Sequence, residues 1–335
     1  MRTRVLHVLC DLSAGGAERL VLEICRRRSS DLEMSVATVQ GLGPLEPAFR
    51  AAGIPLIEGG RARKHLGVRA TGRLVGAVQA ADVVHTHLFA GDTWGRIAAL
   101  LTGHRAVITT EHNVNRDETW QRWVKRGLAP VSRQIVCVSE AVARYSVEVE
   151  GIRDVIVIPN GVDVDRFGPH PGGPGNRVLA IGRRVPQKGF DVLLDALPAG
   201  FTLQVAGEGP FERDQPGVTW LGRREDVPAL LAQADILAVP SRWEGFGLAA
   251  AEGLAAGVVV VASDVDGLAE VVGDCGVLVP PEDPAALRAA LVRVGQDPAL
   301  RRALAVRGPE RARSRYSIDT TVRRYENLYR GLGAR

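Results

Sequence analysis

The sequence predicts an α/β protein built from two doubly wound domains, each a parallel β-sheet covered by helices. Short apolar runs rich in β-branched residues alternate with amphipathic helical patterns from one end of the chain to the other. This alternation is typical of parallel strands buried on both faces. With 335 residues, the chain exceeds the usual size of one domain. The alternation is interrupted by Pro159-Asn160-Gly161, followed by a stretch rich in Pro and Gly at 169–175, and we place the domain boundary there.

The first domain is assigned to residues 1–165. The predicted strands are Val5–Cys10, Met34–Val39, Leu56–Ile57, Val83–His85, Ala106–Thr110, Ile135–Val138 and Val155–Ile158. The predicted helices include Ala17–Arg28, Ala70–Ala80, Thr93–Leu101 and Ala141–Glu150. Uninterrupted apolar strands between amphipathic helices indicate a sheet with no solvent-facing side.

The second domain is assigned to residues 176–314, where the alternation restarts. The predicted strands are Val178–Ile181, Thr202–Ala206, Val218–Leu221, Ile236–Val239, Val258–Ala262 and Val277–Val279. The predicted helices include Gly189–Ala196, Val227–Ala234, Leu248–Ala256 and Pro284–Val294. A last helical pattern, Ile318–Leu332, lies within 315–335 and is expected to cross back onto the first domain. Ligands of such sheets bind beyond the carboxyl ends of the strands, so the domains are expected to face each other across a cleft.

Composition and charge indicate a folded protein with an anionic partner. The chain is 46% apolar and 24% charged, which argues against disorder. Residues 1–160 carry a net charge of +5 and the rest −1. The basic first half favours a phosphorylated acceptor or a membrane surface. The basic residues are dispersed and no recognition motif accompanies them, so nucleic acid is not an expected partner.

The sequence also indicates a compartment. No apolar signal segment follows the N-terminus, and no run of about 18 uncharged apolar residues occurs. The four cysteines (Cys10, Cys25, Cys137 and Cys275) have no paired spacing, so reduced thiols are expected rather than disulfides or zinc ligands. We therefore predict a cytoplasmic protein, with peripheral contact at the inner face of the membrane as a further expectation.

The most informative segment carries two glutamates eight residues apart. Glu244 is predicted in a loop after the strand Ile236–Val239, and Glu252 in the second turn of a helix that begins near Leu248. A helix N-terminus presents unpaired N–H donors and partial positive charge, which suits an anion. Two carboxylates beside such a site suit a ligand with sugar hydroxyls at two places and phosphate between them. This combination predicts a nucleotide-sugar site.

Six motifs together resemble the retaining glycosyltransferases of family 4, which have the GT-B architecture of two Rossmann-like domains facing across a cleft. The motifs span essentially the whole chain, in the order and spacing of that family (glycosyl transferases group 1). They are Ser13-Ala14-Gly15-Gly16-Ala17-Glu18, Cys137-Val138-Ser139-Glu140, Ile158-Pro159-Asn160-Gly161-Val162-Asp163, Ile181-Gly182-Arg183 with Lys188-Gly189, Ala206-Gly207-Glu208-Gly209-Pro210, and the two-glutamate loop.

The resemblance assigns roles in each domain. In the second, donor-binding domain, Arg183 and Lys188 would contact the diphosphate, Glu252 the ribose and Glu244 the transferred sugar. In the first, acceptor-binding domain, His112 would contact that sugar. The catalytic set is then Arg183, Lys188, Glu244 and His112. The remaining donor contacts are Gly15, Gly16, Gly222, Gly245, Phe246, Gly247 and Leu248, and the acceptor contacts are His85, His87, Glu111 and Asn113.

No metal and no cofactor are expected, since the nucleotide sugar is a substrate. His85 and His87 look like a metal pair, but no third ligand accompanies them in the sequence, so we interpret them as cleft-lining or structural. The pairs Asp163 with Asp165 and Asp264 with Asp266 imitate the Asp-x-Asp signature of metal-dependent glycosyltransferases, yet both are expected in the metal-free family.

Structural interpretations stay open for several of these residues. Arg183 and Lys188 could be ordinary surface basicity, Gly15 and Gly16 a tight turn, and His112 a loop residue without a role. Gly-x-Gly-x-x-Gly is absent at that turn, which argues against NAD. The segment Thr119–Leu128 could pack on its own domain, or lie on an anionic bilayer with Trp120 and Trp123 at the interface and Arg122, Lys125 and Arg126 off that face. A second basic patch comprises Arg61, Arg63, Lys64 and Arg69.

The predicted function is metal-independent, retaining transfer of a hexose from a nucleotide-diphosphate sugar to an acceptor hydroxyl, with UDP favoured over GDP. The acceptor would be a glycolipid, a polysaccharide precursor or a small glycoside. Two alternatives stay open: a nucleotide-sugar 2-epimerase of the same architecture, and a catalytically silent nucleotide-sugar-binding subunit.

Overall fold

A computed structural model describes residues 2–59, 68–114, 119–168, 170 and 172–333, and at 68–71 the backbone alone. The chain divides into two units. The first unit comprises Met1–Asn160 and Asp319–Arg335, and the second comprises Gly161–Ile318. The division falls inside the Pro159-Asn160-Gly161 segment, ahead of the Pro- and Gly-rich stretch at 169–175.

The first unit is a seven-stranded parallel sheet of order β3-β2-β1-β4-β5-β6-β7. Its strands are β1 (Thr3–Leu9), β2 (Leu32–Thr38), β3 (Leu56–Glu58), β4 (Val83–His87), β5 (Val107–Glu111), β6 (Gln134–Cys137) and β7 (Val155–Val157). Its helices are α1 (Gly16–Arg27), α2 (Glu46–Ala51), α3 (Val68–Ala80), α4 (Phe89–Thr102), α5 (Thr119–Leu128) and α6 (Glu140–Glu148). The strand order reverses between β1 and β4.

The second unit is a six-stranded parallel sheet of order β10-β9-β8-β11-β12-β13. Its strands are β8 (Arg177–Ile181), β9 (Thr202–Ala206), β10 (Val218–Gly222), β11 (Ile236–Val239), β12 (Val259–Ser263) and β13 (Val277–Val279). Its helices are α7 (Phe190–Ala196), α8 (Val227–Gln233), α9 (Leu248–Ala255), α10 (Asp266–Val272), α11 (Pro284–Gln296) and α12 (Pro298–Arg315). Here the order reverses between β8 and β11, so the prediction of two doubly wound α/β domains is confirmed.

The final helix, α13 (Ile318–Gly333), packs in the first unit from Asp319 onward. Asp319 accepts a hydrogen bond from Arg27 at 2.7 Å, and Arg330 donates to Asp31 at 2.8 Å. Two tyrosines of α13, Tyr325 and Tyr329, are fully buried. This helix therefore supplies part of the core of a domain whose other elements lie more than 150 residues earlier.

The alternating side chains of β1 show how the first sheet is covered. Leu6 and Val8 pack with apolar side chains of α3 and α4, whereas His7, between them, faces the Tyr329 ring of α13. Successive side chains of a strand point to opposite faces, so β1 is buried on both sides. In the second unit the core joins β8 and β11 to α7 and α11.

Within the described ranges, no helix combines the length and the apolarity that a membrane span requires.

Candidate functional site

Three of the predicted catalytic residues lie in the two loops at the reversal of strand order in the second sheet. One loop follows β8 and carries Arg183 and Lys188, and the other follows β11 and carries Glu244. β8 and β11 are neighbours in the sheet, and after them the chain turns toward opposite edges of the sheet. Sheets of this kind bind ligands beyond the carboxyl ends of the strands at such a reversal. Residues 56 positions apart in the sequence are thereby brought together.

Backbone contacts hold these two loops against each other. The N–H of Arg242 donates to the carbonyl of Gln187 at 2.8 Å, and the amide side chain of Gln187 donates to the carbonyl of Trp243 at 3.1 Å. Gly189 has φ of +63°, and a Cβ at that position would overlap the carbonyl of Pro240. Only glycine combines this backbone conformation with so close an approach.

Lys188 ends a single 3-10 turn, Pro186–Lys188, and pairs with Glu244. Its Nζ donates to Oε1 of Glu244, and the hydroxyl of Ser241 donates to the same oxygen at 3.1 Å. Glu244 is only 7% exposed. Two donors on one nearly enclosed carboxylate oxygen fix the lysine in the loop. An ammonium carries three N–H donors, so this pairing leaves capacity for a phosphate oxygen.

Two arginines near Lys188, Arg242 and Arg184, are held by carboxylates. Arg242 donates to Asp191 at 2.7 Å and to Glu282 at 2.9 Å, and the hydrogen bonds to Asp191 and Glu282 raise its pKa. Arg184 pairs with Glu212 and lies over the Trp220 ring. Arg183, by contrast, is exposed, and no carboxylate in the described part of the chain forms an ion pair with it. A free arginine beside a fixed lysine is an arrangement that suits an anionic ligand.

The two-glutamate loop leads into α9 as predicted. Gly247 caps the helix with φ of +94° and no side-chain acceptor, and the first intrahelical bond runs from Ala251 to its carbonyl. The N–H groups of the first turn therefore point out of the helix N-terminus. Glu252 lies on α9 and is half-buried. Gly222 ends β10 with φ of +63°, and its carbonyl accepts from Gly207 at 2.8 Å.

In the first unit, the loop at the reversal of strand order ends at Gly15, and Gly16 is the first residue of α1. Gly15 precedes α1 without a side-chain cap, but a carboxylate already lies at this helix N-terminus. Glu18 is 4% exposed and accepts from the hydroxyl of Ser13 at 3.0 Å. A Cβ on Gly15 would overlap this carboxylate, so the glycine makes room for Glu18.

Four histidines meet near the carboxyl ends of β1, β4 and β5. The ring of His7 contacts that of His87 at 3.0 Å between Nδ1 and Nε2, and His87 contacts His112 at 3.1 Å between Nδ1 and Nε2. We call His7, His87 and His112 the imidazole row. His85 stands beside it, with Nδ1 2.8 Å from the Tyr329 hydroxyl and Nε2 2.7 Å from Thr110.

The predicted place of His85 and His87 needs correction. We expected β4 to end at His85, but the strand continues to His87 and all five of its residues are buried. His85 and His87 have no exposed surface and both nitrogens of each ring are engaged. They therefore lie behind His112 and do not offer an acceptor contact on the surface of this unit. His112 itself, with Asn113 next to it, is half-buried.

Glu111 is also internal, contrary to the prediction of an acceptor contact. Lys125 donates at 2.9 Å both to Glu111 and to Glu150, and all three residues are nearly enclosed. Burial alone would raise the pKa of Glu111, but the Lys125 ammonium outweighs it and the pKa is lowered. His87 contacts the His112 ring at 3.1 Å, whereas the carboxylate of Glu111 accepts from Lys125.

Lys125 lies off the face of α5 that carries Trp120 and Trp123, and it points inward to these carboxylates. Trp120 and Trp123 on the same helix are 54% and 66% exposed. Arg61, Arg63 and Lys64 and the side chain of Arg69 lie outside the described residues. The four cysteines are free thiols.

Among the residues that the structure describes, one group of side chains could surround a metal ion. His7, His85 and His87 each offer a nitrogen, and these atoms lie within 4.8 Å of one another. The contacts between His7 and His87, and those of His85 with Tyr329 and Thr110, already occupy most of these nitrogens. The third histidine, His7, comes from β1, a strand for which the sequence predicted no site residue.

Comparison with protein families matches both halves of the chain. Residues 14–166 match the family described as Glycosyltransferase Family 4, and residues 175–297 match Glycosyl transferases group 1. A phosphatidyl-myo-inositol mannosyltransferase of Mycobacterium leprae is 36% identical over 218 residues, which are 58% of this chain and 58% of that protein. The matching region thus spans less than two thirds of that relative.

One further relative and one solved structure cover more of the chain. An MMP alpha-(1->4)-mannosyltransferase of Mycolicibacterium hassiacum is 30% identical over 316 residues, 81% of this chain and 76% of that protein. Anabaena Alr3699/HepE, solved with UDP and glucose, has a TM-score of 0.86 at 21% identity and covers 98% of this chain and 99% of its own. The last comparison concerns the fold alone.

Proposed function

The chain belongs to glycosyltransferase family 4, and on that premise we propose that it transfers a hexose from a nucleotide-diphosphate sugar to an acceptor hydroxyl. The observation that carries the proposal is the pairing of Lys188 with Glu244 beside the exposed Arg183. These residues lie where doubly wound sheets bind their ligands.

The proposed donor site uses each group according to its charge. Arg183 and Lys188 face the diphosphate, which gains negative charge as the bond to the sugar breaks. Fixed cations that stabilise developing charge contribute a few kcal/mol each. The N–H groups of Phe246, Gly247 and Leu248 donate hydrogen bonds to phosphate and sugar oxygens. Glu252 accepts hydrogen bonds from the ribose hydroxyls. Glu244 accepts a hydrogen bond from the sugar and also holds Lys188 in place.

We propose retention of anomeric configuration and no metal requirement. The sugar–oxygen bond to the diphosphate breaks and a new bond forms from the anomeric carbon to the acceptor oxygen on the same face. The acceptor proton passes to an oxygen of the departing diphosphate. Lys188 and Arg183 take over the charge stabilisation that a divalent cation supplies in other glycosyltransferases.

The names of the two mycobacterial relatives support mannose as the first hexose to test, and one of them supports an inositol lipid as an acceptor. We propose an acceptor that is phosphorylated or lipid-linked. UDP is proposed ahead of GDP as the nucleotide, with support from a protein of the same fold that was solved with UDP. Thermal-shift measurements with UDP- and GDP-hexoses decide this, because a ligand of the native state raises the melting temperature.

The central experiment combines donor binding and turnover in Lys188→Ala and Glu244→Gln. Both variants should lose most turnover, and Lys188→Ala should also lose most of the melting-temperature increase caused by a nucleoside diphosphate. Glu225→Gln is the matched control, since it removes an exposed carboxylate of the same unit that pairs with Arg223 at 3.3 Å. Near-normal turnover in Lys188→Ala would contradict the proposal.

The same assay separates the alternatives. An epimerase converts UDP-N-acetylglucosamine without an acceptor, whereas a transferase needs one. A silent binding subunit shows the thermal shift but neither transfer nor donor hydrolysis in the wild type. Analysis of the product's anomeric configuration then tests retention.

We further propose peripheral contact of α5 with an anionic membrane. Trp120 and Trp123 are exposed on one helix, and Arg126 lies 5.9 Å from the Trp123 ring, a combination suited to the interface of an anionic bilayer. Co-sedimentation with vesicles containing anionic lipid should fall in the Trp120→Ser, Trp123→Ser double variant. Val306→Ser, which removes a 73% exposed apolar residue from the second unit, should leave it unchanged. Wild-type protein that fails to bind at low salt would refute this part.

A further inference from the structure

The imidazole row runs from the interior of the first unit to a half-buried ring at its outer end. His7, on β1, and His87, on β4, have no exposed surface, whereas His112, after β5, is half-buried. The two contacts are 3.0 Å and 3.1 Å long, which is hydrogen-bond length for two nitrogens. Each contact therefore holds one proton between a donor nitrogen and an acceptor nitrogen.

This requirement gives the row a direction. A neutral imidazole has one N–H and one bare nitrogen, and burial lowers the pKa of each ring, that of His7 to about 3 and that of His112 to about 4. Three neutral rings in line must then share one tautomer. Either each carries its proton on Nδ1 and donates toward His112, or each carries it on Nε2 and donates toward His7.

The inner end of the row distinguishes the two arrangements. Nε2 of His7 is enclosed and has no hydrogen-bond partner among the described residues. If the rings carried their protons on Nε2, the Nε2 of His7 would be a buried N–H with no acceptor. If the rings carry their protons on Nδ1, the Nε2 of His7 is a bare nitrogen. Buried N–H groups without an acceptor are the rarer and more costly defect, which favours the Nδ1 arrangement.

We propose that His7 and His87 are positioning residues that hold the proton of His112 on Nδ1. The Nε2 of His112 faces His87 as an acceptor, and its Nδ1–H is the donor left for a ligand. The consequence for catalysis rests on the proposed function: His112 would donate to a hydroxyl oxygen of the sugar or the acceptor, and a proton on Nε2 would turn that donor into an acceptor.

Nuclear magnetic resonance of protein labelled with 15N-histidine tests the tautomers without any turnover. Two-bond couplings between ring protons and nitrogens distinguish Nδ1–H, Nε2–H and imidazolium rings. We expect the signals of His7, His87 and His112, assigned by single substitutions, to show the Nδ1–H form at neutral pH. An Nε2–H or charged His112, or nitrogen shifts that change on adding EDTA, would overturn the proposal.

His87→Phe removes the donor that faces His112 while keeping an aromatic ring in the core. His112 should then lose the fixed Nδ1–H form and show both tautomers, and kcat should fall about tenfold or more with little change in KM for the donor. His85→Phe is the matched control on the same strand: it is equally buried but bonds to Tyr329 and Thr110 outside the row, so His112 should keep its tautomer. Should His87→Phe not fold, His7→Phe tests the same dependence from the inner end.

The outcomes separate this proposal from the proposed function. A fixed Nδ1–H on His112 that survives both His87→Phe and His7→Phe shows that the row does not set it and refutes the inference. Failure of the wild type to transfer any hexose refutes the proposed function and leaves the tautomer measurement valid.

Discussion

Acid should destabilise the first unit through its buried histidines, and His7 provides the clearest case. Its ring has no exposed surface, and burial lowers its pKa from 6.5 to about 3. The groups that face it are the rings of His85, His87 and Tyr329, and none of them is a carboxylate that could stabilise an imidazolium. Protonation is therefore resisted as long as the unit stays folded.

The sign and size of the effect follow from linkage. Between pH 6.5 and about 3 the unfolded chain binds a proton at His7 and the folded chain does not. Protons therefore favour unfolding, and the free energy of unfolding decreases as the pH is lowered through this range. One pKa unit corresponds to about 1.4 kcal/mol. At pH 5, His7 alone should therefore lower the free energy of unfolding by about 2 kcal/mol relative to pH 7.5.

Urea unfolding at pH 7.5 and 5.0, in wild type and His7→Asn, measures this contribution. Replacing Trp220 and Trp243 by Phe leaves Trp94, Trp120 and Trp123, so fluorescence reports only on the first unit. Asparagine keeps a polar group near Nδ1 but does not titrate, so the variant should lose about 2 kcal/mol less than wild type between the two pH values. His170→Asn, in the second unit, serves as the control. Equal losses in wild type and His7→Asn would refute the reasoning.

Three further predictions concern other parts of the molecule. Lys125→Met should destabilise the first unit by about 3–5 kcal/mol, measured by urea unfolding, because it leaves the enclosed Glu111 and Glu150 without their cation; a loss below about 1 kcal/mol would contradict the buried ion pairs. Gly189→Ala should destabilise the second unit by about 1–3 kcal/mol more than Gly200→Ala, since both glycines have positive φ but only Gly189 meets a backbone carbonyl; equal losses would contradict this close approach. EDTA should leave the transfer rate unchanged, and activity that returns only with a divalent cation would contradict the proposed metal-independent mechanism.

The sequence predicted the strands well because a parallel sheet buries nearly every strand side chain. β9, β11 and β13 have the predicted limits, and α9 begins at the predicted Leu248. Strand limits were harder to predict where a strand contains polar residues. His87 reads locally as the start of a loop, yet it is the last buried residue of β4. Periodicity gives no strand order, so the pairing of β1 with β4 that brings His7 and His87 together across 80 positions could not be predicted.

A signal for these contacts was nevertheless present in the sequence. His7 interrupts an otherwise apolar strand, and a buried polar side chain requires a partner. The same reasoning applies to Lys125, which lies on α5 and is only 2% exposed. Its partners Glu111 and Glu150 lie 14 and 25 residues away, on a strand and beyond a helix. Identifying them requires the packing of α5, which its sequence pattern alone does not specify.

The two units repeat one topology but differ in charge where their strand order reverses. In the second unit, Arg183 is exposed and the N-terminus of α9 has no acidic residue in its first turn. In the first unit, the N-terminus of α1 is already occupied by the carboxylate of Glu18, which offsets the partial charge that would attract a phosphate. Anion recognition is therefore expected in the second unit. The neutral His112 of the first unit suits a hydroxyl-bearing acceptor, because a hydroxyl needs a directed hydrogen bond rather than a charge.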